Sequence, residues 1–519
     1  MARRAQPISA GVWVGVAAAA LILMLTLGTL GAVFTRAGTL STLGPADWAA
    51  IRFTLLQATL SAALSVALAI PVARALARRQ FVGRGLLITL LGAPFILPVI
   101  VAILGLLAVF GRRGLLNIAL SWAGIEPVSI YGLQGVLLAH VFFNLPLATR
   151  LILQGWLSIP SERFRLAASL GFRAADINRA LELPMLRRVL PGAFVVIFVI
   201  CMTSFAVALT LGGGPRSTTV ELAIYQAFRF DFNLGHAALL SVIQFGLSAL
   251  AAVLAAWIAV PAFGDAGLDR PLLRWDARRL RLRLLDGAWI VAVALFLLLP
   301  LAMVVGQGAL ALFSLPEAVF WAAGRSVLTA IGSALLMLAL AFPLAYAATR
   351  AGRGFEVIGT LSIAASPLVI GTGLFILLRP VTNPVALALP VTALVNAVMS
   401  LPFAMRALVP ALREVEATYG QLADSLALHG MARLRLLLLP RMRRPIGFAA
   451  GLAAALSMGD LGVIALFADP ARATLPLQLY RLMGSYRLDQ AAGAALLLLG
   501  LSLALFWLFD RGGRVNADA

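Results

Sequence analysis

The 519-residue sequence contains no lysine, and it has only one cysteine and three histidines. A phosphate-binding loop of the type G-x-x-x-x-G-K-S/T requires its lysine, so this chain cannot contain one. Any ATP hydrolysis coupled to it must be carried out by a separate subunit. The single Cys201 excludes an intramolecular disulfide. The three histidines are scattered along the sequence, so no metal site is expected.

Charged residues are also scarce, at 12%, whereas 62% of the residues are hydrophobic and the mean hydropathy is +0.99. Such a composition lies far outside that of soluble globular domains. A helix needs about 20 mostly apolar residues to cross the hydrocarbon core of a membrane. The sequence predicts an all-α polytopic membrane protein with twelve transmembrane helices, at residues 11–34, 51–76, 86–110, 131–153, 189–211, 236–260, 287–307, 325–349, 355–378, 384–405, 446–467 and 491–509.

The net charge of +20 would suggest nucleic acid as the partner of a soluble protein, but the positions of the arginines favour a different explanation. If the N-terminus is cytoplasmic, most arginines fall in or beside cytoplasmic segments, as the positive-inside rule requires. We therefore expect contact with membrane lipids, no nucleic acid, and both termini in the cytoplasm. The first apolar stretch, 10–34, is longer than the core of a typical signal peptide, which favours a retained helix.

The chain is an internal duplication. The stretch RLAASLGFRAADINRALELP, residues 165–184, matches QLADSLALHGMARLRLLLLP, residues 421–440, at a shift of 421 − 165 = 256 positions. Each half holds six predicted spans, so both copies face the same side, predicted to be the cytoplasm. Parallel repeats place a shared pathway between the halves. The predicted organisation is a first repeat at 1–260, a basic cytoplasmic linker at 261–286 and a second repeat at 287–519.

The duplicated segment lies in two predicted cytoplasmic loops, at 154–188 and 406–445. Read as helices, these loops place two leucines one turn apart on one face, with small residues one turn apart beside them. A short helix of this kind suits docking into a groove on a partner. Pro184 and Pro440 are predicted to end the helical segment, because proline lacks the amide donor and clashes with the preceding turn.

The spacing of these residues resembles the motif E-A-A-x-x-x-G followed by I-x-L-P of permease subunits of binding-protein-dependent ABC importers. The resemblance implies two tandem six-helix repeats of the type I importer fold, in which the repeated segment is the coupling helix that docks on the ATPase. Arg165 and Gln421 stand where the motif has glutamate, and Ala427 where it has glycine. The implied ATPase-coupling residues are Arg165, Leu166, Ala167, Leu170, Gly171, Leu183, Pro184, Gln421, Leu422, Ala423, Leu426, Ala427, Leu439 and Pro440.

Three longer passages, 131–153, 210–227 and 458–467, resemble the fused permeases of thiamine and thiamine pyrophosphate importers. This resemblance implies a non-enzymatic translocation subunit in the bacterial inner membrane, with two copies of an ATPase subunit and a substrate-binding protein as partners. It implies no cofactor in this chain, since ATP and magnesium would be bound by the partners. The related ferric-iron importer permease is one alternative, and a twelve-span secondary transporter is another.

Two sets of polar residues are further candidates. In the resembled family the segment after span five receives the binding protein, which implies docking residues Arg216, Glu221, Arg229 and Asp231, although the segment could equally be a surface loop. Within the spans, His140, Asn144 and Asp460 are candidate pathway residues. The first two could instead be interhelical hydrogen-bond partners. An intramembrane carboxylate indicates function by default, but the glycines around Asp460 also suit a helix cap.

Overall fold

The computed structural model describes residues 10–37, 42–92, 96–258, 279–363, 365–467 and 472–514, and within these ranges the chain is helical and has no strand. This confirms the all-α polytopic prediction. Eleven helical segments in the described ranges are long and apolar enough to cross a membrane. With one shorter apolar helix they form twelve elements, α1 to α12: Gly11–Ala37, Pro45–Arg78, Val99–Trp122, Leu133–Leu157, Ala174–Met202, Leu234–Ala255, Leu280–Ser314, Glu317–Arg350, Pro367–Leu378, Pro384–Ser425, Gly430–Phe467 and Leu488–Arg514.

The shorter helix is α9, which stands where the sequence predicts the span 355–378. Two elements replace that expected span: a seven-residue helix, Gly354–Thr360, and the twelve-residue α9. Pro367 begins α9, because proline is well accommodated in the first turn of a helix. The first repeat has the same construction, with a seven-residue helix, Arg84–Leu90, and a twelve-residue helix, Val99–Phe110. The two repeats therefore share a seven-residue helix followed by a twelve-residue one, although α3 continues to Trp122 and α9 ends at Leu378.

The duplication is visible helix by helix. The helices Pro45–Arg78 and Glu317–Arg350 both have 34 residues. After the repeated loops, Leu183–Met202 and Leu439–Met458 both have 20 residues. The repeat therefore extends well beyond the matching sequence motif.

The first helix of each repeat reaches the other repeat. Helix α1 packs along α8, and α7 packs against α2 and α3. Glycines permit this close approach: a Cβ atom at Gly15 would lie 2.7 Å from the carbonyl oxygen of Pro343, and one at Gly105 would lie 2.6 Å from that of Pro300. Small residues at helix crossings allow membrane helices to pack through their backbones. The two repeats thus share one continuous core.

Two predicted segments, the linker and the second loop, are largely helical in the residues that the structure describes. Residues 261–278 of the predicted linker lie outside the described residues, and the remainder of the linker is the start of α7 at Leu280. The predicted second loop, 406–445, is largely helical, because one helix runs without a break from Ala388 to Ser425. In the first repeat the corresponding helix ends at Leu157 and a new one begins at Ser161, after Pro160. Pro160 has Glu416 as its counterpart, which continues the helix.

Candidate functional site

A cavity of about 400 Å³ lies between the two repeats. This volume falls within the range of about 300–1,000 Å³ that is usual for small-molecule sites. The lining comes from matching places in the two copies, namely α4 and the region after α5 in the first repeat, and α10 and the end of α11 in the second. The cavity therefore occupies the position where parallel repeats are expected to form a pathway.

Three polar positions of the cavity occur in both repeats at a shift of 256 residues, but the members of each pair differ. His140 is matched by Asn396, Asn144 by Ser400, and all four line the cavity. Asp460 in the second repeat stands where the first repeat has a serine, Ser204. Matching helices of the two repeats thus line the cavity, but the side chains that they place there differ in chemistry.

His140 and Asn144 both line the cavity and hold its wall together. The imidazole of His140 is bonded through Nδ1 to the Ser61 hydroxyl at 3.0 Å and through Nε2 to the Ser204 hydroxyl at 2.8 Å. The Asn144 amide donates to the backbone carbonyl of His140 at 2.9 Å and to the Cys201 sulfur at 3.3 Å. Both residues therefore line the cavity and make hydrogen bonds between helices, and their part in a pathway stays a prediction.

Asp460 lies at a break in the spanning segment α11. The helix before it ends at Met458 and a short helix, Gly462–Phe467, follows. Asp460 Oδ1 accepts a hydrogen bond from the Gly462 amide at 3.2 Å, while Oδ2 is buried without a hydrogen-bond partner among the described residues. The first repeat is interrupted at the matching place, between Met202 and Ala206. Asp460 thus caps a half-helix and also faces the cavity.

Glu221 corrects one of the predictions. It was predicted to dock a binding protein on the surface, but its side chain is completely buried and lines the cavity. It lies on a short helix, Val220–Arg229, which is tied to α2 by a hydrogen bond of 2.9 Å from the Val220 amide to the Thr54 hydroxyl. Seven of the ten residues of this helix are buried, because the helix packs onto the bundle. The amphipathic pattern that predicts this helix could not show which face is covered.

The carboxyl group of Glu221 has few polar neighbours. Neither of its oxygens makes a hydrogen bond within the part of the chain that the structure describes. Burial raises the pKa of Glu221 to about 8, and the nearby Ser366 hydroxyl and Gln244 amide oppose this rise only in part. Glu221 has no acidic counterpart, since Leu477 stands 256 residues later. The other predicted docking residues are accessible: Arg216 and Asp231 are exposed and Arg229 is partly exposed.

The repeated loops present their leucines outward. Leu166, Leu170, Leu422 and Leu426 have between 56% and 63% of their surface exposed, as a docking surface requires. The small residues that the sequence places beside the leucines fall into a buried pair and an exposed pair. Ala167 and Ala423 are buried against the rest of the loop, whereas Gly171 and Ala427 are exposed and form a left-handed turn, with φ of +69° and +51°. The remaining predicted coupling residues also reach the surface, with Leu183 partly exposed and Arg165, Pro184, Gln421, Leu439 and Pro440 exposed.

The prediction that Pro184 and Pro440 end the helical segment is wrong. Both lie within the first two residues of the 20-residue helices, inside continuous helical runs. A wider π-type turn precedes each of them, at Asn178–Glu182 and Leu434–Leu438. Proline disrupts a helix by losing one hydrogen bond and clashing with the carbonyl four residues earlier. The wider turn moves that carbonyl away, so the chain stays helical through the proline.

The two loops are held by different contacts. In the first loop, Ile177 is fully buried in a small cluster with Phe164 and Ala167. In the second loop, Arg433 stands at the position of Ile177 and its guanidinium lies 2.6 Å from both the Glu416 and the Asp424 carboxylates. A second brace fixes the first loop to α2, where buried Glu182 pairs with Arg74 at 2.8 Å and Arg78 at 3.3 Å. Sequence reasoning missed these contacts because each joins segments that are distant in the motif.

Comparison with known proteins gives a consistent result. A scan against models of protein families finds no match. The chain is 40% identical over 531 residues to the thiamine transport system permease protein ThiP of Salmonella typhimurium, covering 98% of each chain. It is 39% identical to ThiP of Escherichia coli across the full length of both, and 40% identical to ThiP of Brucella abortus, covering 91% of this chain and 89% of that one. The chain therefore belongs to the family of thiamine transport system permease proteins, the permease subunits of ABC importers.

Proposed function

We propose that this chain forms the membrane pathway through which thiamine, and its phosphate esters, enter the bacterial cytoplasm across the inner membrane. The observation that carries the proposal is the cavity between the repeats, which is lined by polar groups from both copies. The names of the relatives supply the substrate. Most of the arginines lie on the side of the repeated loops, which favours a cytoplasmic location for these loops and for both termini.

Energy would come from two ATPase subunits, one docked on each repeated loop, with ATP and magnesium bound by those partners. The absence of lysine from the sequence excludes the usual phosphate-binding loop from this chain. The exposed leucines of the loops provide two equivalent apolar contacts on one side of the molecule. On the opposite side, Arg216, Arg229 and Asp231 are accessible to a substrate-binding protein.

Uptake of labelled thiamine tests the substrate. Cells with and without this gene are compared, with labelled ferric iron measured in parallel. Loss of thiamine uptake alone is the expected result. Loss of iron uptake alone would preserve the importer architecture and overturn the substrate.

Co-purification of the ATPase tests the loops. Bulky substitutions at Gly171 and Ala427 would be a poor test, because both residues lie in a left-handed turn that a large side chain would strain. Aspartate at Leu170 and Leu426 is a cleaner change, because both side chains are exposed. Burying a leucine stabilises an interface by about 1.5–3 kcal/mol, so we expect at least a tenfold loss of bound ATPase. Leu170→Met with Leu426→Met is the matched control and should retain it; an intact complex with both aspartates would refute docking there.

A further inference from the structure

Two carboxylates from different repeats face the same cavity. Asp460 reaches it from the break in α11, and Glu221 reaches it from the short helix of the first repeat. They are not related by the internal repeat, because Asp460 corresponds to Ser204 and Glu221 corresponds to Leu477. The two acidic residues of the cavity are therefore not part of what the two repeats have in common.

The carboxyl oxygens are largely unused by the protein. Oδ2 of Asp460 and both oxygens of Glu221 are buried without a hydrogen-bond partner among the described residues. Buried polar groups normally have a hydrogen-bond partner, because an unpaired one has given up its bonds to water without replacement. Three such oxygens on two residues that line one cavity indicate a partner that enters the cavity from outside the chain.

The residues that line the cavity indicate that this partner is positively charged. Among the described residues that line the cavity, the titratable side chains are Glu221, Asp460 and His140, and none is arginine. Phe143, Phe205 and Phe403 lie in the same wall, and aromatic faces attract cations. A cavity with two carboxylates and aromatic rings suits an organic cation and lacks the guanidinium groups that usually bind phosphate.

We infer that Glu221 and Asp460 together form a subsite for the positively charged thiazolium ring that thiamine shares with its phosphate esters. The inference rests on the proposed function, from which the substrate is taken. Asp460 supplies one oxygen to the cation while its other oxygen continues to cap the half-helix. Glu221 closes the subsite from the other repeat, so that the cation bridges the two halves.

The protonation of Glu221 is compatible with this role. Its raised pKa keeps the carboxyl group mostly neutral in the empty cavity at pH 7, which avoids an unpaired buried charge. A cation beside it favours the ionised form, and the proton is then released to water. His140 and Asp460 are the other titratable groups that face the same space.

Equilibrium binding to the purified permease in lipid nanodiscs tests the inference. Labelled thiamine is compared with an uncharged analogue whose thiazolium ring is replaced by thiophene. The thiazolium nitrogen is quaternary and carries no N–H, so the carboxylates attract its positive charge without a hydrogen bond, and the unaltered chain should prefer thiamine by at least tenfold. E221Q and D460N should each lose most of that preference while the affinity for the uncharged analogue stays unchanged, which also shows that the cavity is intact.

The substitutions are chosen to remove charge and little else. Asparagine caps helices about as well as aspartate, so D460N keeps the half-helix start. Glu221→Asp retains the charge and should retain the preference, and Glu126→Gln removes an exposed carboxylate that has no part in the proposed sites and should have no effect. Retained preference in E221Q and D460N would overturn the subsite, as would failure of the unaltered permease to bind thiamine while cells take it up. Failure of cells to take up thiamine at all would instead overturn the proposed function.

Discussion

The two repeated loops share a backbone and differ in what holds it together. Both have a helix ending at a serine, a left-handed residue two positions later and a π-type turn before a proline. In the first loop the interior is apolar, with Ile177 against Phe164. In the second, Arg433 replaces Ile177 and pairs with Glu416 and Asp424.

The replacement in the second loop is coordinated. Arg433 requires space and acidic partners, and Gly420 stands where the first loop has Phe164. Glu416 replaces Pro160, continues the helix and also pairs with Arg350 of α8 at 2.8 Å. The apolar contact and the ionic cluster therefore hold the same turn. The exposed leucines are the same in both loops, because the two copies present the same outer surface. The interior residues can differ between the loops as long as they fit one another within each loop.

The largest expected effect comes from emptying the apolar interior. Ile177→Ala removes a fully buried side chain, and such changes cost about 2–5 kcal/mol. We expect the first loop to open more often and its amides to exchange faster. Hydrogen exchange measured by mass spectrometry over residues 161–182 checks this, with residues 420–438 as the internal control. Unchanged exchange in the first loop would show that the cluster does not hold it.

A double substitution asks whether one interior can be converted into the other. A Cβ atom at Gly420 would lie 3.3 Å from Glu416 Oε2 and 3.5 Å from Arg433 Nη2, so Gly420→Phe alone should disturb the ionic cluster. Arg433→Ile alone leaves its acidic partners behind. Made together, the two changes recreate the pair of the first loop, and we expect them to cost less than their sum by about 0.5–3 kcal/mol. Additive effects on exchange of residues 420–438 would contradict the equivalence of the two interiors.

The left-handed residue offers a smaller, matched test. A residue other than glycine pays about 1–2 kcal/mol in this conformation. Gly171→Ala should destabilise the first loop by about 1 kcal/mol, and Ala427→Gly should stabilise the second by up to that amount. A Cβ atom at Gly171 would meet nothing within 4 Å, so no steric clash adds to the backbone strain. Exchange rates that move in the same direction for both variants would refute this explanation.

The smallest expected difference between the two loops is in how their stability responds to salt. Raising the ionic strength from 0.1 M to 1 M shortens the Debye length from about 10 Å to 3 Å. The Arg433 cluster is only partly buried, with 54% of the Asp424 side chain exposed, so we expect a loss below about 1 kcal/mol in the second loop. Exchange of Ile177 and its neighbours should change less with salt, because the cluster around Ile177 is apolar and the Glu182 carboxylate that braces this loop is fully buried. A larger response in the first loop would contradict the assignment of the two interiors.

Predictions from the sequence succeeded where they depended on repetition. The shift of 256 residues correctly aligned the helices after the loops and placed Leu166 and Leu422 on equivalent exposed surfaces. Applied to the spans, the same shift would have found Asn396 and Ser400 as partners of His140 and Asn144. Predictions failed where one residue was judged by its type alone. Pro184 does not end a helix, because the preceding turn adapts, and Glu221 is not on the surface, because its helix packs onto the bundle.

The sequence alone determined the class of the molecule, its internal duplication, the outward leucines of the loops and the absence of a phosphate-binding loop. These depend on composition, hydrophobic length and spacing, which are local properties of the chain. Only the tertiary structure showed that Glu221 and Asp460 line one cavity. It also showed that Arg433 holds the second loop through ion pairs, at the position where Ile177 holds the first loop through apolar packing. Such contacts join helices far apart in sequence, and their energy depends on which neighbours exclude water around them.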